Sequence, residues 1–317
     1  MNIEEIIKEN RPNISQSSLK VYTQNLKNLH KIIMKNDTIQ SLDFLTDFDN
    51  IIKSLEEKNK NTMKNYLVAV VILLQSDSKK YNDLIQKYQE KIKKLQDSIN
   101  DTYDDNEKSN KQNKNWVDYS EILKLLRKMK KDTKPLLEKP IDELTNKEKD
   151  LIQQYLVHYL YSGKAFPIVR NDFAEMKIVN EDDKLDDDKN YFVIRKNGLP
   201  YFQLNQFKTA KYKGEQKIII KDLELRKLIN KWAKINNTGF LLINITTNTP
   251  MTANGISKYL NKIYKKHFDK VISTSLLRSI YITNKYNDNL SQKQKKELAE
   301  DMQHSKDIAE KVYNKID

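Results

Sequence analysis

The residues with the most chemistry to offer lie toward the end of the chain, in STSLLRSIYIT and ELAEDMQHSKDIAEKVY, which hold Arg278, His304 and Tyr313. Upstream, VRNDF holds Arg170 and FKTAK holds Lys208, so the order along the chain is Arg, Lys, Arg, His, Tyr. These side-chain types suit transfer of a phosphoryl group, a reaction catalysed mainly by positioning and charge stabilisation. A guanidinium is a planar fork that grips two non-bridging oxygens at once and does not lose its proton. A phenol, with an ordinary pKa of about 10, ionises more readily than an aliphatic hydroxyl and so makes a better nucleophile beside positive charge. Taken singly, each residue has a plainer reading. Tyr313 is one of 17 tyrosines and would pack on an amphipathic terminal helix, Lys208 would be a solvated turn residue, both arginines would be structural, and His304 would be a cap or core residue. Their joint order, with His304 and Tyr313 nine residues apart, favours chemistry.

That closing block resembles the tyrosine recombinase and phage integrase family. There an HxLR helix segment precedes an LGHS-like turn, with the nucleophilic tyrosine nine residues after the histidine of that turn. The resemblance makes Tyr313 the nucleophile and Arg278 of SLLRSIYIT the second catalytic arginine. YLYSGKAFPIVRNDFAEMKI resembles the helix-turn-helix passage bearing the first arginine, which points to Arg170, although Gly163 and Arg170 stand seven apart with Pro167 between. FKTAK resembles the hairpin turn bearing the catalytic lysine, hence Lys208, with Lys211 the close competitor. One position departs: Ser275 stands where the family has the histidine of HxLR, and a hydroxyl cannot hold a proton near neutrality.

The resemblance implies that Tyr313 attacks a DNA phosphodiester to leave a 3′-phosphotyrosyl link. Lys208 then protonates the departing 5′ oxygen, and His304 hydrogen-bonds the phosphate or takes the tyrosine proton. Rejoining reverses the exchange with no cofactor, and the sequence has no GxxxxGK[ST] loop, no HExxH and no spaced carboxylate triad that would point to ATP or metal. The implied partner is double-stranded DNA, bound by a homo-oligomer, a tetramer on two duplexes. Only four residues follow Tyr313, so subunit contacts are expected elsewhere. Type IB topoisomerases share the residue set without the HxLR histidine, and a decayed DNA-binding relative is the other alternative.

These residues need elements to hold them. Apolar residues at helical spacing (Leu19, Tyr22, Leu26, Leu29, Ile33) predict a helix over 15–34 capped by Ser15 or Ser17, with others over 62–74 and, along Leu84, Tyr88, Ile92, Leu95 and Ile99, from about Asp83. Residues 1–100 thus read as a helical DNA-binding bundle. Residues 101–115, charged and without aliphatics, read as a linker, and 116–317 as the catalytic domain. There, helices are expected over 119–129 and 151–161, and β-like runs at 176–179, 191–194, 201–205 and 217–220, the last two joined as a hairpin. Helices resume after Asp222, Ser291 and Gln294 form a capping box, and Ser305 caps the last helix. The expected fold is mainly α with a small antiparallel sheet, two domains closing as a clamp around DNA.

Composition agrees. The 317 residues carry a net charge of +13, yet residues 208–285 alone hold 16 basic and 4 acidic side chains, a concentration expected of a surface for a polyanion. Lys211, Lys213, Lys258 and Lys262, with Ser275, are the further candidates for DNA contact. The acidic NEDDKLDDDKN lacks the glycine and terminal glutamate of a calcium loop and reads as a solvated turn. With no cysteine and no apolar run of about 20 residues, an intracellular protein that neither spans a membrane nor is secreted is expected. The Lys/Asn-rich composition suggests a viral or mobile-element source.

Overall fold

Helix-forming periodicity and hydroxyl or amide caps decide the first hundred residues. The computed structural model describes residues 1–36 and 38–315. It divides into two units, Met1–Asp105 and Asn106–Asp317. The first holds α1 (Ile3–Asn10), α2 (Gln16–Met34), α3 (Phe48–Ser54), α4 (Lys60–Leu74) and α5 (Ser78–Asp104). Ser15 caps α2 by accepting from the Ser18 N–H, and Asn59 caps α4 by accepting from the Thr62 N–H, satisfying donors that have no partner within the helix. α4 is buried on nearly every side, from Leu67 through Leu74, because α1, α2 and α5 all pack against it. α5 presents Leu84, Tyr88, Ile92 and Leu95 to this core, and the buried Tyr88 hydroxyl donates to the Leu45 carbonyl (2.9 Å).

The stretch 101–115 comprises the end of α5, Asn106 in a left-handed conformation (φ 51°) and α6 (Asn110–Asn115), capped by Ser109. The second unit continues with α7 (Tyr119–Glu138) and α8 (Asn146–Leu160). α7 outruns its expected end at Met129 because Thr133, Leu136 and Leu137 keep the helical seam turned to the core. Then come β1 (Lys177–Asn180), β2 (Tyr191–Ile194), β3 (Tyr201–Leu204), the one-turn α9 (Ala210–Lys213) and β4 (Gln216–Ile219). α10 (Leu223–Asn236), α11 (Ala253–Phe268), α12 (Thr274–Asn287), α13 (Gln292–Asp301) and α14 (Lys306–Ile308) follow, α14 running into a π-type turn over Ala309–Tyr313. Among the described residues, no helix is long and apolar enough to cross a membrane.

The fold is α+β, but the sheet is mixed rather than antiparallel. Its order is β1-β2-β3-β4, and β1 runs parallel to β2 with Lys177 opposite Tyr191. A four-residue strand spans only about 13 Å. The acidic loop 181–190, able to reach about 33 Å, therefore carries the chain back to the start of the neighbouring strand without a helix. β3 pairs antiparallel with both neighbours, Phe202 facing Phe192 on one side and Ile218 on the other. Phe202 also lies edge-on to Phe173 (4.9 Å between ring centroids) and Phe166 (5.7 Å). This aromatic cluster seats the loop that bears Arg170 on the sheet.

Candidate active site

Arg170 stands in an irregular passage, residues 161–176, not in the expected helix-turn-helix. Pro167 forces its predecessor away from helical angles, and the chain is pinned by Ile168, Val169 and Phe173, all buried. The Tyr161 hydroxyl donates to the Arg170 carbonyl (3.1 Å) and the Asp172 carboxylate accepts from the Arg170 N–H (3.1 Å). α8 gives way to this passage at Gly163 (φ 71°), where a Cβ would lie 2.5 Å from the Tyr281 ring.

Arg278 projects inward from α12, whose first turn is capped by Ser273. Only 1% of it is exposed. Burying a guanidinium is costly unless its protons are placed; here one terminal nitrogen donates to the Ile168 carbonyl (2.7 Å) and the other to the Met302 carbonyl (2.8 Å). Its Nε has no hydrogen-bond partner. Burial and the nearby Arg170 draw the Arg278 pKa down, while Tyr313 and Asp172 oppose them.

The turn after α13 gathers the remaining groups. Gln303 adopts φ 65°, and this left-handed residue turns the chain so that successive carbonyls face the arginines. Met302 serves Arg278, and Gln303 accepts from the Arg170 Nη1 (3.3 Å). The next residue, His304, is 4% exposed. Its Nδ1 lies 3.2 Å from the Ser305 carbonyl, an acceptor, so Nδ1 carries the ring proton and Nε2, buried without a partner, holds the lone pair. Burial foremost, then the charges of Arg278, Arg170 and Lys213, push the imidazole pKa down to about 3, so the ring is neutral. It stacks on Tyr313 (centroids 5.0 Å apart, planes 15° apart), and the Arg278 guanidinium carbon lies 4.9 Å from the centre of the same phenol ring. The expected stripe of Ala309 and Tyr313 on a plain α-helix is replaced by the wider turn Ala309–Tyr313, closed by the Asn314 N–H on the Ala309 carbonyl (2.9 Å).

The β3–β4 connection reaches the same turn. The Thr209 hydroxyl approaches the Gln303 carbonyl (3.4 Å), Lys213 Nζ the His304 carbonyl (3.4 Å), and Gln303 donates to Gln216 (3.0 Å). A cleft of about 380 Å³ opens over these groups, lined by Arg170, Lys208, Arg278, Tyr313 and Ser275 among others. The structure thus brings together four of the five residues singled out for catalysis on the cleft wall, with His304 stacked behind Tyr313. Lys208, exposed, lines the cleft; its competitor Lys211 does not, and Lys213 lines a neighbouring hollow with Glu215, Glu300 and Asp301. Lys258 and Lys262 lie apart, in a hollow with Asn146 and Asp150, where Lys262 pairs with Asp150 (3.0 Å).

Sequence reasoning did not single out Asp172. It sits beneath both arginines, and burial raises its pKa to about 6 although Arg170 and Arg278 pull the other way. Its place two residues after Arg170 was the one available signal. Asn171 was missed as well: it joins the cleft wall by donating to Ser257 (2.8 Å) and accepting from Thr274 (2.5 Å).

No protein-family model and no curated protein matches the chain. Among solved structures it is similar to a Tn1549 transposon integrase, determined in complex with transposon right-end DNA, at TM-score 0.50 and 14% identity over 100% of this chain and 96% of that one. The likeness is one of fold. It spans both units, including the helical Met1–Asp105 portion. At 14% identity it carries no residue-by-residue correspondence, so the chemistry rests on the geometry of this chain.

Proposed function

We propose that this chain is a tyrosine-type DNA strand transferase, a site-specific recombinase or integrase that cuts and rejoins DNA through a 3′-phosphotyrosyl intermediate. The observation that carries the reading is the convergence of two arginines, one exposed lysine and a tyrosine on one small cleft, with a neutral imidazole stacked against the tyrosine. The basic surplus of residues 208–285 and the integrase-like fold support DNA as the substrate.

In this reading Arg170 and Arg278 hold the non-bridging oxygens of the scissile phosphate. The Tyr313 oxygen attacks phosphorus and the phosphorus–O5′ bond breaks, the tyrosine proton passing to the lone pair on His304 Nε2 once the phenol slides off the stacked ring into hydrogen-bond reach. Lys208 protonates the departing 5′ oxygen. The arriving phosphate offsets the two arginine charges that depress His304, so its basicity rises when it is needed. Asp172 is a positioning residue for Arg170, and Ser275 offers a hydroxyl to the phosphate from the lip of the cleft. Exchanging one phosphoester for another conserves bond energy, so the backward reaction seals the strand. The helical first unit would add to the hold on DNA, and recombination would proceed in a tetramer on two duplexes.

The test uses nicked duplexes carrying the element's end sequence, without Mg²⁺ or ATP. The wild type should form a denaturation-resistant protein–DNA adduct, and Tyr313→Phe should form none while still binding DNA. An adduct persisting in Tyr313→Phe removes Tyr313 from the reaction. Plasmid relaxation without joining of two duplexes would instead assign a type IB topoisomerase.

A further inference from the structure

A groove on the second unit, away from the arginine cleft, has the character of a docking site. Its floor is apolar, made by Leu137 of α7, Tyr155 of α8 and Leu223 and Leu228 of α10. Lys130 and Lys134 stand along one side and Lys227 and Lys231 along the other, around about 510 Å³ of space. Leu223 is more than half exposed at the edge of this floor. The groove's one carboxylate, Glu224, is already engaged by Lys130 (2.9 Å), Lys164 (3.4 Å) and the Tyr155 hydroxyl (2.6 Å). The remaining lysine charge therefore faces outward around an apolar slot, complementary to an acidic segment with an apolar centre.

This chain contains such a segment. The loop between β1 and β2 reads EDDKLDDD over 181–188, six carboxylates around Leu185, which is not part of the apolar core. Four of the loop's carboxylates pair locally, Glu181 with Arg195 (3.1 Å), Asp182 with Lys196, and Asp186 (2.9 Å) and Asp188 (3.8 Å) with Lys189, but these pairs join partly exposed groups and are weak and exchangeable. Asp187 and Asp188 are exposed. Within one copy the loop's bonds go to residues 180–206 and the groove's to α7, α8 and Lys164, so the two features are separate surfaces.

We infer that the acidic loop of one copy docks in the lysine-lined groove of a second copy, Leu185 entering the slot and the flanking aspartates meeting Lys130, Lys134, Lys227 and Lys231. The contact is head-to-tail, each copy offering a loop and a groove, and it propagates into a ring or a short chain of copies rather than stopping at a symmetric pair. Electrostatic complementarity sets its register, and salt weakens it. It is independent of the strand-transfer reading, since neither surface includes a residue of the arginine cleft.

A charge swap tests it, without DNA, by sedimentation of the full chain at low salt up to about 0.5 mM, where a contact of micromolar strength is populated. The wild type should associate with rising concentration, and raising salt about ten-fold should weaken that association about ten-fold or more. Lys227→Glu with Lys231→Glu in one protein, and Asp187→Lys with Asp188→Lys in another, should each be monomeric. Mixed, they should associate in pairs, because the unchanged acidic loop of the first protein then finds the unchanged lysine-lined groove of the second. Thermal unfolding of each variant at the wild-type temperature shows that neither change acts by unfolding the chain. A monomeric wild type at 0.5 mM, association surviving in either variant, or a mixture that stays monomeric overturns the inference.

Discussion

The imidazole of His304 is held uncharged by its surroundings, and the cost of protonating it is measurable. Its pKa is about 3 in the folded protein against an ordinary 6.5. A group with a depressed folded pKa binds its proton more readily when unfolded, so stability is intact above pH 6.5 and is lost as pH falls toward 3. Between about pH 7.5 and pH 4.5 that linkage amounts to roughly 3 kcal/mol, since the unfolded state gains a factor of about 100 in protonation that the folded state hardly shares. The assay is urea unfolding of the wild type and of His304→Gln at both pH values. Trp116 and Trp232, the chain's two tryptophans, both lie in the Asn106–Asp317 unit, so their fluorescence follows the unit that contains His304. The wild type should lose about 3 kcal/mol more than His304→Gln on acidification. His158, also buried and lowered to about 4, is common to both proteins and cancels in the double difference. Equal losses in the two proteins would refute the neutral, lone-pair-bearing His304 and with it the proton route from Tyr313.

Three further outcomes are expected. Gly163→Ala should destabilise the second unit by about 1–3 kcal/mol, through the left-handed backbone and the Tyr281 ring 2.5 Å from the new Cβ, measured as a lowered urea midpoint with an unchanged slope. Asn190→Ala removes bonds to the Asp172 and Gln206 carbonyls and to the Asn205 and Gln206 N–H groups, tying the Arg170 loop to the start of the Lys208 connection; a loss of about 2–4 kcal/mol is expected. The same variant should slow adduct formation even where it remains folded. Finally, Lys211→Ala and Lys258→Ala should each reduce the slope of log affinity for DNA against log salt by about 1 if the lysine meets a phosphate, and an unchanged slope removes that lysine from the interface.

Local patterns in the sequence announce much of this molecule. The seams of α2 and α5 appear because one helix face is apolar at a period near 3.6, and the strands at 191–194 and 201–204 appear because aromatic and β-branched residues cluster between turn formers. The interval from His304 to Tyr313 is legible because both residues belong to one short terminal segment. Pairing β1 parallel to β2 was not legible, since nothing local distinguishes a ten-residue loop that doubles back from one that simply turns. The left-handed Gln303, the wide turn over Ala309–Tyr313 and the bonds from Arg170 and Arg278 to carbonyls 133 and 24 positions away arise only once the chain has folded. The partition between Lys208 and Lys211 also needed geometry, because two lysines three residues apart are chemically equal until one of them lines a cleft.

The carbonyls of Ile168, Met302 and Gln303 that hold the two arginines have a consequence for how such a protein can drift. Every amino acid brings the same main-chain oxygen, so the clamps on the guanidinium groups place few demands on side-chain identity. What must persist is the path of the backbone, with its left-handed step at 303. A lineage built this way can exchange most of its letters around the cleft and still deliver two correctly aimed positive charges, leaving shape as the more durable record of descent.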